Sequence, residues 1–125
     1  MSVNLSDGEW KLMRRLWSQA PQTITELTAA LRDETGWSKH TVITMLSRLE
    51  AKGAVAYAEG GRAKRYSPLV AREEAVREET ECFLDKVYDG SLGLLVNSMA
   101  RSRQLSAADI AELQKILDDA KEDLT

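Results

Sequence analysis

Apolar residues in the first fifty positions recur at the three- and four-residue spacing of amphipathic helices, in three separate blocks. The blocks predict helices over 7–20, from 24 to about 32, and over 39–52. Each block follows a hydroxyl residue able to cap a helix, and in the first two a glutamate three residues later completes a capping-box pattern. The positions expected to face a shared core are Trp10, Leu12, Met13, Leu16, Trp17, Ile24, Leu27, Ala30, Leu31, Val42, Met45, Leu46 and Leu49.

The pattern changes to alternation after the third block. Val55–Ala58 and Ala63–Ser67 flank a turn over Glu59–Arg62 that contains two glycines, which predicts a β-hairpin closed by Pro68. Three helices followed by a two-stranded hairpin is the element order of a winged helix-turn-helix. In that arrangement the third helix enters the DNA major groove and the hairpin lies along the backbone.

Every periodic segment after residue 70 predicts helix. The first covers Ala71–Tyr88, the second follows the capping residue Ser91, and the last begins near Ser106. In the last helix the apolar residues step by three and four, as in a heptad seam. We therefore expect a mainly α protein with a small β-hairpin, in which a winged helix-turn-helix domain over 1–70 precedes a helical dimerisation domain over 71–125.

The three carboxyl-terminal helices carry more apolar surface than a monomer of this size can bury. Only about 55 residues form them, and a unit that small rarely encloses a core of its own. We expect a second copy of the chain to cover this surface. The expected dimer contacts are Val76, Phe83, Val87, Leu92, Leu95, Val96, Ile110, Leu113, Leu117 and Leu124.

Charge is distributed unevenly along the 125 residues, whose net charge is −3. Residues 1–70 carry +3 and residues 71–125 carry −6, while Trp37–Tyr66 alone carries +4. A polyanion would therefore meet the amino-terminal part of the chain. Within that part, the side chains expected to contact DNA are Ser38, Lys39, His40, Thr41, Ile43, Thr44, Ser47 and Arg48 on the third helix, and Arg62, Lys64 and Arg65 on the hairpin.

Other site types receive little support. The glutamates between 73 and 81 lack the histidines of a di-metal bundle site, so we interpret them as a solvated helix face. Cys82 and His40 are the only cysteine and histidine, which excludes a four-ligand zinc site. We interpret Cys82 as a small buried residue, with a thiol sensor as the alternative. No phosphate loop, dinucleotide motif or nucleophile motif is present, so we expect no enzyme, no metal and no cofactor.

The membrane-span, secretory-signal and cysteine criteria together predict a cytoplasmic protein. No apolar run approaches the ~18 residues of a membrane span, and the first ten residues lack the basic and apolar regions of a secretory signal. A single cysteine is typical of a reducing compartment. We expect no membrane insertion.

Several stretches of the chain resemble the penicillinase-repressor family (BlaI/MecI/CopY type) of bacterial transcriptional regulators. The matching stretches are Leu5–Trp10, Leu16–Trp17, Ile24–Leu27, Trp37–Gly53, Arg65–Pro68, Phe83–Leu84, Tyr88–Ser91 and Leu105–Ser106. The resemblance implies a homodimer with two winged-helix domains and a helical carboxyl-terminal dimerisation domain, which binds inverted-repeat operators and blocks transcription. Thr41, Thr44 and Arg48 match recognition-helix positions, whereas Ile43 stands where better-known members often have a basic residue, so no operator consensus is carried over.

Members of this family differ in how repression ends. Copper-responsive members carry a Cys-x-Cys motif near the carboxyl terminus, and this chain has no cysteine there. In antibiotic-responsive members a sensor-linked protease cuts the helix before the last one. The corresponding stretch here is Val96–Ala100, an imperfect match with a candidate cleavage between Ser98 and Met99. The inducing signal stays open.

Two functions from other classes remain as alternatives to an operator-binding repressor. A winged helix can serve as a protein–protein interaction module, which the acidic net charge favours. A redox-sensing regulator would use Cys82.

Overall fold

The computed structural model describes residues 4–124, which form six helices and one two-stranded antiparallel hairpin. Residues 1–3, part of the stretch tested for a secretory signal, lie outside the described residues. The elements are α1 (Asp7–Ser18), α2 (Ile24–Thr35), α3 (Lys39–Ala51), β1 (Val55–Gly60), β2 (Ala63–Pro68), α4 (Arg72–Tyr88), α5 (Leu92–Arg101) and α6 (Ala107–Leu124). The chain divides between Thr80 and Glu81 into two compact units.

Local capping fixes where the first three helices begin. Both predicted capping boxes are confirmed: Ser6 and Glu9 bond reciprocally at the start of α1, and Thr23 and Glu26 do so at α2. The Ser38 hydroxyl accepts a hydrogen bond from the Thr41 backbone N–H at the start of α3. These bonds satisfy amide groups that have no partner inside the helix.

Two predicted helix ends are wrong by a few residues. The first helix ends at Ser18 rather than residue 20, where the Gln22 side-chain amide donates to the carbonyls of Arg15 and Gln19. The second continues to Thr35 rather than residue 32, and Gly36 then ends it with a left-handed φ of 66°. A residue without a Cβ adopts that conformation at no steric cost.

The hairpin is longer than the sequence pattern indicates. Pairing runs from Val55 opposite Pro68 to Gly60 opposite Ala63, so the turn contains two residues rather than four. An isolated bridge adds a third segment, because Gln22 and Tyr66 exchange two backbone hydrogen bonds of 3.0 and 2.8 Å. This bridge fixes the hairpin to the segment between α1 and α2.

The core of the first unit lies among α1, α2, α3 and the base of the hairpin. Its buried residues are Leu5, Leu12, Met13, Leu16, Leu27, Leu31, Val42, Leu46, Leu49, Ala54, Val55 and Tyr66. Trp10, Trp17, Ile24 and Met45, which were expected to face the core, are partly buried against it. The Trp17 indole N–H also donates to the Val70 carbonyl at 2.9 Å, which holds the chain beyond the hairpin against α1.

The second unit has almost no interior of its own. No residue of α5 or α6 is buried, and the one buried residue of α4 is Ala75, which precedes the second unit. Cys82 is exposed, so its interpretation as a buried residue is wrong. Phe83 and Val87, expected to make apolar contacts, are 47% and 51% exposed. These helices therefore carry apolar faces that the second unit does not bury.

Two features are absent from the described part of the chain, a helix able to span a membrane and a cluster of potential metal ligands. Within 4–124, none of the helices has the length and apolarity that a bilayer span requires. Over the same residues, no group of three or more His, Cys, Asp or Glu side chains is placed to hold a metal ion.

Candidate nucleic-acid interface

The outward face of α3 carries the residues that the sequence predicts for base contacts. Val42, Leu46 and Leu49 are buried, which turns His40, Thr44 and Ser47 to the opposite side of the helix. Seven of the eight residues predicted to contact DNA between Ser38 and Arg48 are exposed, and the eighth, Thr41, is half-buried. No acidic side chain occurs from Lys39 to Arg48. The face therefore presents hydroxyl, imidazole and basic groups with no carboxylate among them.

Some of these polar groups already have partners within the chain. The Ser38 hydroxyl caps α3 and lies 3.2 Å from the Thr41 hydroxyl. The Thr44 hydroxyl donates to the His40 carbonyl at 3.1 Å, which leaves its oxygen lone pairs free to accept. Arg48 lies in the last turn of α3 and is exposed. Thr44 and Arg48 thus keep hydrogen-bonding capacity toward an external ligand, whereas Ser38 serves mainly as the cap.

The three basic residues of the hairpin do not share one face. Lys64 and Arg65 are neighbours on β2 and therefore project to opposite sides of the sheet. The Lys64 ammonium lies 4.2 Å from the centroid of the Tyr57 ring, and Tyr57 raises the pKa of Lys64. Arg65 lies near Glu26 of α2, where it adds to the hydrogen bonds from Thr23 in lowering the pKa of that carboxyl. Arg62 occupies the turn.

A cleft joins the hairpin to the start of α3. Its volume is about 270 Å³, and Lys39, Arg62 and Lys64 line it together with residues of the first turn of α2. A second cleft of about 430 Å³ lies between α2 and the start of α3, lined by Arg32 and Lys39 among others. The fold therefore brings basic groups from α2, α3 and the hairpin around one region. Arg48 and Arg65 line neither cleft.

Thr25 and Arg32 are candidate contacts that sequence reasoning missed. Thr25 lines both clefts, and Arg32 lines the one beside Lys39. Thr25 belongs to the first turn of α2, and a helix start favours an anion because its backbone N–H groups point outward. The capping box at Thr23 marks this helix start in the sequence, and in a helix-turn-helix the helix before the recognition helix crosses the phosphate backbone.

An ion pair between exposed Lys52 and buried Glu9 holds the end of α3 to the start of α1. Glu9 is 1% exposed, and the Lys52 ammonium bonds its Oε1 atom and the Asn4 carbonyl. Burial alone raises the pKa of Glu9, but the bonds from Lys52 and Ser6 outweigh it and lower that pKa. The Oε2 atom of Glu9 has no hydrogen-bond partner among the described residues. This pair fixes α3 relative to α1 through residues 43 positions apart in sequence.

The predicted dimer contacts and the candidate cleavage site lie on the last three helices. Val76, Phe83, Val87, Leu92, Ile110, Leu117 and Leu124 are exposed, and Leu95, Val96 and Leu113 are half-buried. A groove of about 440 Å³ between α5 and α6 contains Leu92, Leu95, Val96 and Leu113. Ser98 and Met99 lie inside α5, with Ser98 exposed and Met99 half-buried.

A sequence model described as "Penicillinase repressor" matches residues 5–119. The chain belongs to the penicillinase repressor family. It is 32% identical to the penicillinase repressor of Bacillus licheniformis over 117 residues, which cover 94% of this chain and 91% of the relative. It is 26% identical to the methicillin resistance regulatory protein MecI of Mammaliicoccus sciuri, covering 93% of this chain and 94% of the relative.

A solved structure of a family member has a fold similar to that of this chain. The solution structure of monomeric Bacillus licheniformis BlaI in complex with the blaP half-operator matches with a TM-score of 0.51 and 31% identity. The match covers 57% of this chain and 87% of that one. The winged-helix fold predicted from the sequence is confirmed, as is its class as a DNA-binding transcriptional repressor of the penicillinase repressor family.

Proposed function

We propose that the chain binds inverted-repeat operator DNA as a homodimer in the cytoplasm and blocks transcription by occupying the operator. It acts by binding and not by catalysis. The outer face of α3 enters the major groove, where Thr44 and Arg48 reach base edges, and the hairpin contacts the phosphate backbone. The Bacillus licheniformis relative bound to a half-operator supports this assignment.

The observation that carries the proposal is the composition of the exposed surface around α3. From Lys39 to Arg48 the exposed side chains include basic and hydroxyl groups and no carboxylate, although the chain as a whole is acidic. Lys39 and two basic residues of the hairpin line one cleft. Such a local basic surface on an acidic protein is what phosphate binding requires.

The exposed apolar surface of residues 81–124 supports the proposed homodimer. Phe83, Leu92 and Leu117 are 47%, 58% and 61% exposed, and no residue of α5 or α6 is fully buried. Exposed apolar area of this kind marks an interaction surface. A second copy presents identical helices and covers the surface symmetrically. Two bound half-sites then raise the affinity far above that of one domain, because the second contact forms at high effective concentration.

Repression ends, in this proposal, when a sensor-linked protease cuts between Ser98 and Met99. The bond lies within α5, so local unfolding of that helix must precede the cut. Cleavage releases α6 with Ile110, Leu117 and Leu124, and the dimer loses part of its apolar interface. The DNA-binding residues of α3 and the hairpin are not altered. Affinity falls because the two half-sites are then bound independently.

Salt dependence separates this proposal from a protein–protein interaction module. Binding of the full chain to a DNA duplex, followed by fluorescence anisotropy, is expected to weaken by orders of magnitude between about 50 and 200 mM salt. The variant Arg62→Ala/Lys64→Ala is expected to show a smaller salt slope. The matched variant Lys86→Ala/Lys115→Ala removes two charges from the second unit and is expected to keep the slope. A DNA affinity that does not change with salt concentration would contradict the proposal. An equal reduction of the salt slope in both double variants would contradict it as well.

A redox regulator based on Cys82 is the second candidate, favoured by one observation: the thiol is exposed. Cys82→Ser tests it, since an operator affinity that responds to oxidant in the natural chain and not in this variant would establish thiol sensing.

A further inference from the structure

The Lys64 ammonium lies over the ring of Tyr57, and that ring contacts the ring of Tyr66 at a tilt of 50° on the same face of the hairpin. The ammonium lies 4.2 Å from the centroid of the Tyr57 ring. Tyr57 pairs with Tyr66 across the hairpin, with ring centroids 5.6 Å apart. Tyr66 is 6% exposed and bonds Gln22 through two backbone hydrogen bonds. The Tyr57 ring that contacts Lys64 therefore packs against Tyr66, which belongs to the core.

A held lysine differs from a free one in how it binds an anion. An exposed lysine samples many rotamers and loses that freedom when it contacts a phosphate. A lysine already placed over an aromatic face has lost part of that freedom before binding, which strengthens the later contact. The ammonium keeps its charge and its N–H donors while it lies over the ring.

Arg65 provides an internal comparison on the same strand. It projects to the opposite side of the sheet from Lys64 and lies near Glu26 of α2. In the described part of the chain, the cation lying over an aromatic ring is Lys64 and not Arg65. The cleft shared by Lys39 and Arg62 is lined by Lys64 and not by Arg65. The two neighbouring cations therefore differ in their aromatic contact, although Lys64 also has carboxylates near it, with Glu59 opposite it on β1 and Glu50 on α3.

We infer that Tyr57 is a positioning residue of the DNA-binding surface, whose ring holds the Lys64 ammonium where it contacts a backbone phosphate beside α3. The inference rests on the proposed DNA binding. Tyr57 itself makes no contact with DNA. The position of the Arg65 guanidinium does not depend on an aromatic ring.

A double-mutant cycle on the full chain tests the inference with a duplex of random sequence as the probe. Tyr57→Leu removes the aromatic face and is expected to weaken DNA binding about two- to fivefold, the effect of a cation–π contact at an exposed site. In the Lys64→Ala background the same change is expected to have no effect. Tyr57→Phe keeps the ring but removes the hydroxyl that also bonds the Lys64 ammonium, and it is expected to lose less binding than Tyr57→Leu. Lys64→Ala alone is expected to lower the salt slope by about one.

Each other outcome overturns a specific claim. An equal loss from Tyr57→Leu in both backgrounds would mean that Tyr57 contacts DNA or only supports the hairpin, which contradicts the positioning role. No loss in the natural background would also overturn it, and so would a Tyr57→Phe variant as weak as Tyr57→Leu. A natural chain that binds DNA without salt dependence would refute the proposed function itself. A parallel Arg65→Ala cycle is expected to show no coupling to Tyr57.

Discussion

Replacing Lys52 by methionine tests how the end of the recognition helix is held. The change keeps an unbranched side chain of similar length but removes the cation that pairs with Glu9 and bonds the Asn4 carbonyl. Breaking a buried ion pair by removing one partner costs about 3–5 kcal/mol. Because the Lys52 side chain is 37% exposed, water replaces part of the lost interaction. We therefore expect Lys52→Met to lower the free energy of unfolding by roughly 2 kcal/mol.

The loss must depend on pH in a direction set by Glu9. The pKa of Glu9 in the folded chain lies below its ordinary value of 4.5, so its ionised form contributes stability that is present above pH 4.5 and lost as pH falls through the folded pKa. In Lys52→Met, burial is no longer offset by the cation, and protonation of Glu9 then relieves the buried charge. The stability difference between the two proteins is therefore largest at neutral pH and shrinks below pH 4.5.

Urea unfolding followed by tryptophan fluorescence measures this difference, since Trp10, Trp17 and Trp37 all pack against the core. The comparison is made at neutral pH and at about pH 3.5, below the ordinary glutamate range. Lys11→Met removes a half-buried lysine from the same helix as Glu9 and controls for the loss of one positive charge. A loss below about 0.5 kcal/mol at neutral pH, the size of an ordinary surface substitution, would refute the reasoning. A loss equal at both pH values would refute it as well.

Three further predictions concern binding and assembly. In electrophoretic mobility-shift titrations Arg48→Ala and Thr44→Ala should each weaken specific operator binding by about 1–3 kcal/mol and spare random DNA; equal losses on both DNAs would assign these residues to phosphates. Leu117→Asp should shift the protein toward monomer in sedimentation velocity, because it places an unpaired charge on an apolar surface, whereas the exposed control Ala111→Asp should stay dimeric. A chain ending at Ser98 should associate less and bind the operator more weakly, and a retained dimer with full affinity would exclude the cleavage mechanism.

Helix starts could be predicted from the sequence because their determinants are local. The reciprocal bonds at Ser6 and Glu9, and at Thr23 and Glu26, join residues three positions apart. The end of α1 and the extent of the hairpin depend on contacts that a periodic pattern does not contain. The first helix ends early where the Gln22 side chain bonds its last carbonyls, and Gln22 is itself held by Tyr66, 44 residues away.

The part of the candidate site on α3 could be predicted from the sequence. The positions of the hairpin cations and of the ion pair at the end of α3 could be predicted less well. The apolar stripe over Val42, Leu46 and Leu49 determines which side of the helix faces outward, and these residues are buried as expected. The separation of Lys64 from Arg65 follows from strand alternation, which places neighbouring residues on opposite faces of the sheet. The pairing of Glu9 with Lys52 joins residues 43 positions apart, and neither residue has a sequence signal that indicates the other.

Selection of duplexes from a random library by the full chain tests the central claim most directly, with the number of bound copies determined by sedimentation of the selected complex. A homodimeric operator-binding repressor predicts enriched duplexes with two inverted half-sites, their centres about 10–10.5 base pairs or a multiple apart, and two copies per duplex. Failure to enrich any sequence, or enrichment of a single half-site bound by one copy, would contradict the account.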